Sequence, residues 1–215
     1  MRIPHTQLEL CRSNPAHWLK LRLKPGGASA PQFGMTYDRA LRLAIHCFHK
    51  SDEVFTRRYL EDLILRQQQK KKFMNRPRVD AIRKDLESYM KWRRSSSDTV
   101  IDSDFLLKDA GNTFLTIGGK ISRLDLTADG YRAVLFGMPN PNWKQELRMP
   151  LIQSLVSEMY NRPLQEISVG FQRLDGKNLQ ITTYSAMEIK KALKQFRSLA
   201  ETIEKQSRSS GPPSP

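Results

Sequence analysis

The chain has 215 residues, 39% hydrophobic and 27% charged, which suits one globular domain with one sizeable core. Its formal net charge of +14 attracts polyanions, and nucleic acid is the commonest polyanion inside cells. The N-terminus lacks an apolar signal-peptide core, no apolar run reaches the ~20 residues of a membrane span, and Cys11 and Cys47 alone cannot build a four-thiolate metal site, so a cytoplasmic protein with reduced thiols is expected.

The first half reads as helical. Residues 5–23 carry Leu8, Leu10, Trp18, Leu19, Leu21 and Leu23 around a turn at Ser13-Asn14-Pro15, where Asn14 can cap a helix that Pro15 begins. A Pro/Gly/Ser/Ala loop follows at 25–32. Tyr37, Leu41, Ala44, Ile45 and Phe48 recur at helical spacing over 36–49. The same period continues over 53–69 and over 77–93, where Val79, Ile82, Leu86, Tyr89 and Met90 share a face. Ser95-Ser96-Ser97 marks a loop.

The second half changes period. Strands are predicted at 105–107, 113–117, 121–126 and 131–136, the last after a turn at Asp129-Gly130. Gly118-Gly119 falls inside the strand block, where it permits bending or close packing. A helix over 146–160 precedes strands at 167–174 and 179–184, joined through Asp175-Gly176-Lys177-Asn178. Ser185 and Glu188 form a capping box for a last helix over 186–204. Residues 206–215 are Ser/Pro/Gly-rich and are expected to be disordered.

Charge is uneven. Residues 1–100 hold 21 Lys/Arg against 10 Asp/Glu, and the remainder 15 against 12. Residues 66–94 alone hold eleven Lys/Arg against three Asp/Glu. Arg66, Lys70, Lys71, Lys72, Arg76, Arg78, Arg83, Lys84, Arg93 and Arg94 are therefore the candidate phosphate contacts. Lys190, Lys191 and Lys194, on a better balanced helix, are expected to contribute less. Trp92, beside Arg93-Arg94, is a candidate for base stacking. No metal site is assigned, because His5, His17, His46 and His49 lack metal-ligand spacing.

The order of these pieces resembles the RecB-like branch of the PD-(D/E)XK nuclease superfamily over about residues 5–204. Gln7-Leu8-Glu9-Leu10-Cys11 looks like the helix that starts the domain, with a Cys or Pro near its end. Phe33-Gly34-Met35-Thr36-Tyr37-Asp38 looks like the Gly and helix that usually bring a metal-supporting His, with Asp38 at the His position. Gly119, Arg123 and Asp125 agree with a pattern of Gly, two residues, Asp-Arg, an apolar residue and Asp, but Ser122 stands at the metal-binding Asp. In the next strand Phe136 stands at the second carboxylate and Met138 at the lysine. Gln153 and Tyr160 look like the pair on the following helix, and the strand around Val169-Gly170-Phe171 and the closing helix also fit.

The resemblance implies an α/β fold: a central mixed sheet flanked by helices, a restriction-endonuclease-like core at about 103–204 joined to a helical part at about 5–94, in one domain spanning 1–205. It also implies hydrolysis assisted by Mg²⁺ or Mn²⁺, hard cations that need oxygen ligands. Ser122, Phe136 and Met138 offer neither the carboxylates nor the cation of that chemistry, and Phe136 and Met138 are expected to fill space in the core. The leading expectation is a cofactor-free, non-catalytic module that binds nucleic acid, DNA more than RNA, in a larger DNA-processing, recombination or defence complex. One alternative is an active metal-dependent nuclease with relocated groups, for which Asp125, Lys144 and Glu146 are the candidates. The other is a protein-interaction scaffold.

Overall fold

The computed structural model describes residues 1–23, 36–69, 76–111 and 115–209. In chain order these form β1 (Arg2–Pro4), α1 (Leu8–Ser13), α2 (Pro15–Leu23), α3 (Tyr37–Phe48), α4 (Glu53–Gln69), α5 (Arg76–Ser95), β2 (Thr99–Gly111), β3 (Thr116–Thr127), β4 (Gly130–Phe136), α6 (Arg148–Tyr160), β5 (Ile167–Gln172), β6 (Gln180–Thr182) and α7 (Ala186–Ser209). The fold is α/β, a six-stranded mixed sheet flanked by helices.

Local chemistry sets the element ends. Asn14 Oδ1 accepts from His17 N–H at 3.0 Å to start α2, and Thr36 Oγ1 accepts from Arg39 N–H at 3.2 Å to start α3. Ser185 and Glu188 cap α7 reciprocally: Ser185 N–H donates to the Glu188 carboxylate at 2.8 Å, and Glu188 N–H donates to Ser185 Oγ at 3.3 Å. α7 continues to Ser209, beyond the expected start of a tail at 206, because its helical period carries past Ile203 and Arg208 pairs with Glu204 at 2.6 Å. The tail from 210, the 25–32 loop and Thr113-Phe114 lie outside the described residues.

β2, β3 and β4 form an antiparallel meander; α6 crosses over to β5, which runs parallel to β4, and β6 closes the sheet antiparallel to β5. β2 lines one edge of β3. β1 and β4 share the other, with β1 on Thr116–Gly118 and β4 on Arg123–Thr127. The separate strands expected at 113–117 and 121–126 are one strand, β3, running through Gly118-Gly119. The continuity depends on Gly119, at φ 130, whose missing Cβ would lie 2.9 Å from the His5 ring. His5 also bonds the Lys120 carbonyl at 2.9 Å, so the N-terminal segment is held against the middle of the sheet.

The sheet separates two cores. On one side α1, α2, α6 and α7 enclose Leu8, Trp18, Ile117, Ile121, Leu124, Leu135, Val169, Phe171 and Phe196. On the other, α3, α4 and α5 pack Leu41, Ile45, Leu60, Ile82, Leu86, Tyr89 and Met90 onto Val134, Phe136 and Leu174. β4 shows the reason: Ala133 and Leu135 face the first core, Val134 and Phe136 the second, as the two-residue strand period requires. The helical N-terminal part is thus not a separate body, since its helices cover both faces of the sheet. Cys11 is buried under one face and Cys47 lies on α3 over the other; both thiols are free. Among the described residues no helix is long and apolar enough to cross a membrane.

Candidate functional site

Ser122 and Phe136 meet where β3 and β4 pair. Ser122 Oγ accepts a hydrogen bond from Phe136 N–H at 2.8 Å. The Phe136 ring is 5% exposed and packs edge-on to Tyr89 at 5.8 Å between centroids, so this residue does fill the core. Met138 does not. It is 81% exposed, because Gly137, at φ 142, turns the chain out of the sheet immediately after β4. Met138 instead stands at the mouth of a cleft of about 260 Å³, which Asp38, Asp85, Arg173 and Asp175 also line. Asp38 and Met138 therefore share one cleft.

Arg42, one turn after Asp38 on α3, was not singled out by the sequence. Its guanidinium donates to the Phe136 carbonyl, which fixes a positive charge at the end of β4. Burial pushes its pKa down, while Asp38 and Asp104 push it up. The available signal was the i, i+4 spacing of Asp38 and Arg42, which is common on helix surfaces and so not distinctive.

Arg123 and Asp125 project from β3 toward α5 and form a buried ion pair, with exposures of 0% and 1%. The pair is bidentate: Arg123 Nε donates to Asp125 Oδ1 at 2.7 Å and Nη2 to Oδ2 at 2.8 Å. Arg123 Nη1 donates to Tyr89 Oη at 2.7 Å and to Gln172 Oε1 at 2.8 Å. Trp92, half-buried, packs over the guanidinium at 4.8 Å and lies against Gly176. His49 bonds Tyr89 Oη at 2.8 Å; burial, then Arg123, Arg93 and His46, push its pKa down to about 3, so the imidazole is neutral.

The fallback catalytic groups are placed apart. The Asp125 carboxylate is taken up by Arg123 on the α5 side of the sheet. Glu146 pairs with Arg148 at 2.6 Å and accepts from Asn140, in a segment whose Trp143 and Leu147 pack into the opposite core. The exposed Lys144 lies 5.8 Å from the Trp143 ring. Gln153 acts as a structural clamp: its amide donates to the Leu164 and Tyr184 carbonyls, each at 2.9 Å, and accepts from Tyr184 N–H at 2.7 Å. Tyr160 stacks with Tyr131 at 4.6 Å. Among the described residues no group of three His, Cys, Asp or Glu side chains is arranged to hold a metal ion.

The basic stretch divides four ways. Lys70, Lys71 and Lys72 lie outside the described residues. Arg83 is held by Glu61 at 2.6 Å and Asp80 at 3.3 Å, and Arg94 by Glu53 at 3.2 Å. Arg93 is half-buried and donates to the Ser96 and Asp98 carbonyls. Arg66, Arg76, Arg78, Lys84 and Lys91 are exposed. Acids on α4 thus take up part of the charge of α5, which a count along the sequence cannot reveal. A scan against protein-family models returns no match, and no curated protein sequence matches the chain.

Proposed function

We propose that the protein is a nuclease-fold module of the RecB-like PD-(D/E)XK type that binds nucleic acid, DNA in preference to RNA, without cutting it. The observation that carries this reading is the group at the end of β4: Ser122 hydrogen-bonded to Phe136 N–H, with Arg42 on the Phe136 carbonyl. The resemblance puts two metal-binding carboxylates there. This chain instead has a fixed cation, which repels a divalent ion, and a hydroxyl and a phenyl ring, which offer it little oxygen. The element order supports the reading, since the strand pair, the α6 crossover, β5 and the closing helix follow one another as the resemblance requires. The net charge of +14 and the exposed Arg66, Arg76, Arg78 and Lys84 supply attraction for phosphates.

The test is binding of labelled duplex DNA and RNA over a range of salt. Affinity should fall linearly on a log–log plot, with a slope of about −0.9 per phosphate neutralised on duplex DNA. A protein that binds neither polymer at low salt, yet associates with one protein partner regardless of salt, would be a scaffold instead.

A further inference from the structure

Two basic surfaces lie on opposite sides of the sheet. The α5 surface stands over the core formed with α3 and α4, and α7 stands over the other core. α7 turns Ile189, Ala192, Phe196, Leu199, Ala200 and Ile203 inward. The opposite stripe of its first three turns presents Met187, Lys190, Lys191, Lys194 and Arg197 to solvent. These residues and Leu193 line a shallow groove.

The first three turns differ from an ordinary solvated helix. Exposed helices usually interleave lysine with acid at i, i+3 or i+4, as Glu204 and Arg208 do at the far end of α7. From 186 to 197 the sole acid is Glu188, and its carboxylate already caps the helix by accepting from Ser185 N–H and Oγ. The four cations extend over about 10 Å of helix axis, a length along which a duplex strand places several phosphates. α2, which packs against α7 and contains no acid, adds an exposed Lys20 on the same side of the sheet.

We propose that the outer face of α7 is a second nucleic-acid-backbone site, and that the protein holds two duplex segments at once, one on each side of its sheet. This rests on the nucleic-acid reading above. Apolar insertion into a lipid surface fits less well, because the apolar face of α7 is buried in the core and Met187 is its one large exposed hydrophobe.

The experiment mixes donor-labelled and acceptor-labelled DNA duplexes with the full chain and reads energy transfer between them, alongside anisotropy for binding to one duplex. Two triple variants remove equal charge: Lys190→Gln with Lys191→Gln and Lys194→Gln, and Arg76→Gln with Lys84→Gln and Lys91→Gln. Thermal melts matching the parent establish that both fold. The parent should join duplexes. Each variant should still bind one duplex, with the salt slope shallower by up to about three, and should lose most of the energy transfer. If the α7 variant joins duplexes as well as the parent does, or the parent binds one duplex without joining two, the second site is refuted and the nucleic-acid reading stands. A parent that binds no duplex refutes both.

Discussion

The two sides of the sheet are held by different physics. Toward α6 and α7 the interface is largely aliphatic and aromatic, as in Leu124, Val169, Phe171 and Phe196. Toward α5 it is built around a charged side chain, Arg123, satisfied by Asp125, Tyr89 and Gln172 and covered by Trp92. The same asymmetry continues outside. The α4–α5 surface ties Arg83 and Arg94 to acids across the helix pair, whereas the first turns of α7 leave their cations in solvent. The lesson is that an Arg or Asp in a motif-like position has a role set by what surrounds it. Arg123 and Asp125, the best match to the resemblance, are taken up by each other inside the core.

The largest expected effect breaks the buried pair. Arg123→Ala leaves Asp125 charged and unpaired in the core and should cost about 3–5 kcal/mol in denaturant unfolding. Arg123→Met with Asp125→Leu should recover most of that loss, because no lone charge remains. A single variant that costs no more than an ordinary surface change would show that the α5 side is not organised around Arg123.

The next effect depends on pH. The unfolded chain takes up a proton at His49 near 6.5, but the folded chain holds that imidazole neutral down to about 3. The contribution of neutral His49 is therefore complete above pH 6.5 and is lost as pH falls toward 3, by roughly 1 kcal/mol per pH unit. His49→Gln, which can still bond Tyr89, should flatten that part of the stability profile. His5, also lowered by burial, remains in both proteins and leaves its share of the slope. Identical profiles for the parent and His49→Gln would contradict this assignment.

On the other side of the sheet, Ile167→Val should cost about 0.5–1.5 kcal/mol, with no change in the pH profile, since only a buried methyl group is lost. The smallest effect is on the helix-pair surface. Arg83→Gln should cost less than about 1 kcal/mol, because its partners Glu61 and Asp80 are exposed and the pairs are screened. An Arg83 cost rivalling that of Arg123 would erase the distinction between the two kinds of charge.

Much of the fold was legible in the sequence, because its signals are local. The helical period of α3, the Ser185–Glu188 box and the Asp129-Gly130 turn each lie within a few residues. β1 was not legible: three residues ending in Pro4 carry no strand pattern, and their partner is Thr116–Gly118. The candidate site was half legible. The resemblance pointed to Ser122 and Phe136 together, but the place of Arg42 depends on how α3 lies against β4, and the exposure of Met138 on the turn at Gly137. The basic stretch was visible as charge, while its neutralisation by Glu53 and Glu61 needed the packing of α4 on α5.

The most direct test of the central claim places the purified protein with labelled duplex and single-stranded DNA and RNA in Mn²⁺ or Mg²⁺, and reads binding and cleavage from the same samples. The account predicts a salt-sensitive complex in which every substrate stays intact and affinity does not require the metal. Metal-dependent cleavage that co-purifies with the protein and disappears in Glu146→Gln or Asp38→Asn would contradict it.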